Sequence, residues 1–221
     1  MEFKINKNPY DDPIDLYKND TLVLEPGITA LVGCNGSRKT TLLHIIEDKC
    51  REMNFYCMKF NNLSDGGSTA IGEKMFRGLT SEAAMRMIQS EGENIHSNIG
   101  DFLAKIGRKS REFVNDFDAN AEVFILLDAV DSGLDITNIK EITDAFSQCV
   151  IPDFKSYGFE LYVVVSTNSY EFCIGNNCID VTTLKPININ SYEEYRSAVF
   201  VSDKKKSDRY EKINNHIKKR E

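Results

Sequence analysis

Residues Ile28 to Ile46 read Ile-Thr-Ala-Leu-Val-Gly-Cys-Asn-Gly-Ser-Arg-Lys-Thr-Thr-Leu-Leu-His-Ile-Ile, and the fold turns on this stretch. An apolar run from Ile28 to Val32 reads as a strand. A loop holding Gly33 and Gly36 follows and ends in Lys39, Thr40 and Thr41. Leu42, Leu43, Ile45 and Ile46 then recur at helical spacing. Strand, glycine loop, Lys-Thr and helix make the setting of a phosphate-binding loop, G-x-x-x-x-G-K-[ST]. Glycines let backbone N–H groups turn toward phosphates, and the helix N-terminus adds partial positive charge. The phosphate-contact positions are therefore Gly33, Asn35, Gly36, Ser37, Arg38, Lys39, Thr40 and Thr41. Lys39 suits the β- and γ-phosphates, and the Thr40 hydroxyl suits Mg²⁺. One residue departs from the motif, because Arg38 stands where the second fixed glycine belongs. Either its side chain crowds the phosphates or a needed backbone angle, or it points outward and leaves the loop working.

The surrounding chain is of ordinary soluble composition. Its 221 residues suffice for one α/β domain with a full core. Hydrophobic content is 41% and charged content 28%. No apolar run approaches the roughly 20 residues that span a bilayer, and Met-Glu-Phe-Lys-Ile-Asn does not read as a signal peptide. The expectation is a cytosolic protein without a membrane partner. Six scattered cysteines form no C-x-x-C pair, which favours reduced thiols over a metal site. Net charge is −7, unevenly spread: from Ser202 to Glu221 eight Lys/Arg oppose four Asp/Glu, +4, leaving −11 elsewhere. An acidic body argues against wide nucleic-acid wrapping, while the basic end leaves room for a local contact.

In chain order, strands are expected at Glu2 to Asn6, Thr21 to Leu24, Ile28 to Val32, Phe55 to Phe60, Glu122 to Leu127 and Glu160 to Val165, with a last strand or edge at Cys178 to Thr183. Helices are expected at Thr40 to Met53, in the second half of Met75 to Gln89, from Ile95 to Phe117, at Asp135 to Cys149 and at Tyr192 to Val201. The charged end is a helix or a disordered tail. Continuous apolar strands alternating with helices imply a parallel sheet covered on both faces. This predicts one α/β domain over residues 1–201 and a basic tail over 202–221.

Val123-Phe124-Ile125-Leu126-Leu127-Asp128 is an apolar strand ending in an acid. After a phosphate loop this is the Walker B arrangement, in which Asp128 holds Mg²⁺ through water. Ser132-Gly133-Leu134-Asp135 follows, and Ser90-Glu91-Gly92-Glu93 lies between the two motifs. On these residues the chain resembles the ATP-binding-cassette (ABC) ATPases, which carry a Walker B acid, a Ser-Gly-Leu-Asp type D-loop and a Ser-x-Gly-Gln/Glu signature loop. Without the resemblance, Ser90 to Glu93 reads as a plain helix cap.

The resemblance covers residues 20 to 170 and implies a P-loop NTPase head with a mostly parallel sheet. It implies ATP and Mg²⁺ as ligands, and a head-to-tail homodimer in which Ser90 and Gly92 close over the nucleotide of the other subunit. It places Asn168 or Ser169 where the family has a switch His, and Asn61 or Asn62 where the family has a Gln that positions water or Mg²⁺. Tyr10 and Tyr17 are the candidates to stack on adenine. The family's catalytic Glu is replaced by Ala129, which removes general-base help worth about 10²–10⁴ in rate. Asp131, two residues further on, is expected to point elsewhere. With no long coiled coil between the motifs, the chain looks like a stripped-down head, similar to small bacterial and phage-borne ABC-type proteins.

Three readings follow. The first is an ATP-dependent switch with slow hydrolysis and a protein partner. The second is a small-molecule P-loop kinase, opposed by the want of an arginine-rich lid. The third is a degenerate module that no longer holds nucleotide, favoured by Arg38, Ala129 and the missing switch His. A nucleic-acid contact through Lys204, Lys205, Lys206, Arg209, Lys212, Lys218, Lys219 and Arg220 is a weaker expectation than a solvated charged end.

Overall fold

The apolar runs at residues 123–127 and 161–165 have no polar alternation, so both sheet faces must be covered. The computed structural model describes residues 1–10, 12–61, 97, 99–108 and 122–218. Its strands are β1 (Glu2–Lys4), β2 (Thr21–Val23), β3 (Gly27–Val32), β4 (Tyr56–Asn61), β5 (Glu122–Asp128), β6 (Glu160–Ser166), β7 (Asn177–Asp180) and β8 (Lys185–Ile187). Its helices are α1 (Lys39–Glu52), α2 (99–108), α3 (Ile136–Ala145), α4 (Ile151–Ser156) and α5 (Tyr192–Lys218).

The main sheet has six strands in the order β4-β5-β6-β3-β7-β8. All neighbours are parallel except β8, which runs antiparallel to β7. β1 and β2 form a separate antiparallel pair. The molecule is therefore α/β with a mostly parallel six-stranded sheet flanked by helices. Alternation along β5 splits the core in two. Val123, Ile125 and Leu127 face α2, α3 and Phe154, while Phe124 and Leu126 face α1 and the β1–β2 pair.

Three expectations shift. The last strand is shorter than residues 178–183, because the chain turns after Asp180 and returns as β8. The helix expected at 135–149 continues through a π-helical turn, Phe146–Val150, into α4. Pro152 lacks an N–H to donate, and the wider i→i+5 turn ahead of it, with Ile151 N–H on the Phe146 carbonyl, absorbs the break. The C-terminal segment is one 27-residue helix that runs unbroken across Val201 and Ser202.

This topology positions the site. Strand β6 lies between β3 and β5, so the loop after β3 and the acid ending β5 meet at the same carboxyl edge of the sheet.

Candidate functional site

Lys39 opens α1 and is buried, 7% exposed. Its ammonium donates to the Gly33 carbonyl at 2.8 Å, the Cys34 carbonyl at 3.2 Å and Asn168 Oδ1 at 2.9 Å. The lysine thus clips the loop shut and ties it to the end of β6. Desolvation lowers its pKa, and the carboxylates of Asp131 and Asp128 act against that shift. Beside it, the Thr40 hydroxyl donates to Asp128 Oδ1 at 2.9 Å, and Asn61 Nδ2 donates to Asp128 Oδ2 at 3.1 Å. A cleft of about 320 Å³ opens here, lined by Asn35, Gly36, Arg38, Lys39, Thr40, Thr41, Ala129, Ser166 and Asn168.

The structure thus brings Asn61, Asp128 and Asn168 to the loop from three strand ends. Ser90, Gly92 and Asn62 lie outside the described residues. Ala129 lines the cleft at φ 52 and carries no acid, and its N–H donates to the Ser166 carbonyl at 3.1 Å. Asp135 caps α3, accepting from the Asn138 N–H at 2.8 Å.

Asp131 does not line the cleft but supports it from behind. Its Oδ2 accepts from the Asn168 N–H at 2.6 Å and the Thr167 hydroxyl at 3.0 Å. Its Oδ1 is buried without a hydrogen-bond partner among the described residues. A relay therefore runs from Asp131 through Asn168 to Lys39. Its only sequence signal is an acid two residues past Ala129.

Arg38 takes up φ 76 and ψ 32, the left-handed region where the motif's glycine is favoured. For a side-chain-bearing residue this conformation costs about 1–2 kcal/mol. The side chain turns toward Tyr10, with the guanidinium 5.5 Å from the ring centroid. Tyr10 in turn shares a 3.1 Å hydrogen bond with the Thr41 hydroxyl. Tyr17 is 1% exposed, so its ring cannot stack on an incoming base. Tyr10 is 52% exposed but already carries the guanidinium.

The outer side of the loop is gripped by α5, a contact that sequence reasoning missed. The Cys34 N–H donates to Ser202 Oγ at 3.2 Å, and Lys206 donates to the Asn35 carbonyl at 3.1 Å. A Cβ on Gly33 would sit 2.5 Å from Ser37 Oγ and 2.7 Å from Val181 Cγ1, so a side chain here forces those neighbours to shift. Arg209 bonds Asp12 at 2.6 Å and the Ile14 and Asp15 carbonyls. Lys205 bonds Asp180 at 3.0 Å and the Thr182 hydroxyl at 3.1 Å. Between α5, residues 14–18 and Gly36 to Arg38 lies a second pocket of about 430 Å³. Of the basic residues offered to nucleic acid, Lys205, Lys206 and Arg209 are thus committed within the chain. Lys204, Lys212 and Lys218 are exposed, and Lys219 and Arg220 lie outside the described residues.

Among the described residues no helix is long and apolar enough to cross a membrane, and no group of three or more His, Cys, Asp or Glu is placed to hold a metal. No protein-family model and no curated protein matches the sequence.

Proposed function

We propose that the cleft binds ATP with Mg²⁺ and that the protein is a slow ATPase-like switch of the ABC type. The observation that carries this reading is the meeting of Thr40 with Asp128 at 2.9 Å, next to Lys39. These residues are 88 positions apart. A lysine, a hydroxyl and a carboxylate converge at a helix N-terminus, which is what a triphosphate and its cation require. The donor set fits a hard cation, since Thr40, Asp128 and Asn61 all offer oxygen. Mg²⁺, when bound, neutralises charge developing on the phosphates.

The protein's own groups then divide the work. Lys39 supplies the fixed positive charge. Asn168, held by Asp131, keeps the lysine directed into the loop. Asp128 receives the Thr40 hydroxyl and holds its orientation. Ala129 offers no base to an attacking water, so turnover is slow and ATP binding itself acts as the signal. A head-to-tail homodimer completed by Ser90 and Gly92, and a protein partner that reads closure, belong to the same proposal. Closure follows from tighter binding of ATP to the closed state.

Calorimetric titration of Mg²⁺–ATP into wild type and Lys39→Ala tests the reading. Binding by wild type and its loss in Lys39→Ala are expected. Equal binding by both removes the phosphate-loop assignment. In the same preparation Ala129→Glu should raise turnover by about 10² or more, and an unchanged rate would remove the account of slow hydrolysis.

A further inference from the structure

We propose that Arg38 is a ligand-binding group, the second cation of the cleft, which exchanges the Tyr10 ring for the phosphates of a bound polyphosphate. The proposal rests on the phosphate-binding reading and goes further, because the motif alone leaves Arg38 either an obstruction or a bystander. Three observations carry it.

The first is strain. Arg38 holds a backbone conformation that suits glycine and penalises a side chain. A conformational outlier at a ligand cleft points toward function rather than away from it.

The second is location. Arg38 lines the 320 Å³ cleft together with Lys39, Thr40 and Thr41, and it lines the outer pocket as well. Its side chain therefore stands on the rim that both cavities share.

The third is electrostatic. At the cleft wall the charge of Lys39 is partly offset by the nearby carboxylates of Asp131 and Asp128. Arg38 and Lys39 are the two cations that line this cleft. The Arg38 guanidinium makes no ion pair among the described residues and rests on a half-exposed ring. That contact is weak compared with a charge-assisted, two-pronged bond to phosphate. Exchange of ring for phosphate is therefore downhill.

The sign of one substitution decides the matter. Arg38→Gly restores the ordinary motif and relieves the strain, but removes the guanidinium. If the arginine merely obstructs, Arg38→Gly binds Mg²⁺–ATP more tightly than wild type. On this proposal it binds about tenfold or more weakly, and its affinity depends less on salt. Arg38→Ala keeps the left-handed strain without the charge and falls with Arg38→Gly, whereas Arg38→Lys retains part of the affinity. Thermal melts establish that each variant is folded, and Arg38→Ala carries the comparison if Arg38→Gly does not fold. Equal or tighter binding by Arg38→Gly overturns the proposal and leaves the phosphate-loop assignment standing, as does binding by Arg38→Gly alone. Absence of binding in both wild type and Arg38→Gly overturns the two together.

Discussion

The two sides of the loop from Gly33 to Thr41 are held in different ways. On the inner side the partners are side chains at strand ends: Asp128 from β5, itself bonded by Asn61 from β4, and Asn168 just past β6. Asn168 also lines the cleft. On the outer side the partner is α5, which grips the loop's backbone through Ser202 and Lys206, while Ser37 and Val181 crowd the space beside Gly33. The inner side borders an open cleft, and the outer side is closed by contacts with α5. On the proposed phosphate-binding reading, a loop that presents its N–H groups is best fixed from behind, since disordered donors would lose entropy on binding.

If the outer side supplies rigidity, substitutions there should cost stability. The largest effect is expected for Gly33→Ala, whose Cβ meets Ser37 Oγ and Val181 Cγ1 well inside contact distance. Overpacking of this kind costs about 1–3 kcal/mol, read as a lowered urea midpoint. A midpoint equal to wild type would show that Ser37 and Val181 can give way freely, and the comparison would fail.

Next comes Arg209→Ala. The arginine is 14% exposed in its side chain and ties α5 to Asp12 and to two carbonyls. Its loss should cost about 1.5 kcal/mol, the scale of hydrogen bonds to a charged group. If chemical denaturation finds no change, α5 is held by packing rather than by these bonds.

The smallest effect concerns acid. Burial acts to raise the Asp180 pKa, yet hydrogen bonds from Thr182, Lys205 and Thr183 hold it below the ordinary 3.8. A depressed carboxylate adds stability above its unfolded pKa and loses it as pH falls through the folded value. Wild type should therefore lose part of its stability below pH 3.8, and Asp180→Asn should lose less over the same range. Parallel acid melting curves would remove Lys205–Asp180 from the outer clamp.

Much of the inner side was legible in sequence, for a physical reason. Lys39 and Thr40 follow a glycine loop at set spacing, and Asp128 ends an apolar strand, so local pattern and local chemistry coincide. The strands were legible too, because residues 123–127 and 161–165 are apolar on both faces. The outer side was not. Ser202, Lys205, Lys206 and Arg209 share one helix face at i, i+3, i+4 and i+7 spacing, but they are polar. A search for hydrophobic periodicity reads that face as solvent, and a net count of charge reads it as a tail. Only the fold brings it against backbone carbonyls, Asp12 and Asp180.

The sequence by itself determined the alternation of apolar strands and helices, the phosphate-loop pattern and the acid at the end of β5, since each is written in neighbouring residues. Tertiary structure alone decided that β6 separates β3 from β5, that Asp131 supports Asn168, that Arg38 turns toward Tyr10, and that the basic end of the chain closes on the back of the loop. Those outcomes depend on contacts between residues far apart along the chain, and such contacts are chosen by the packing of the whole sheet.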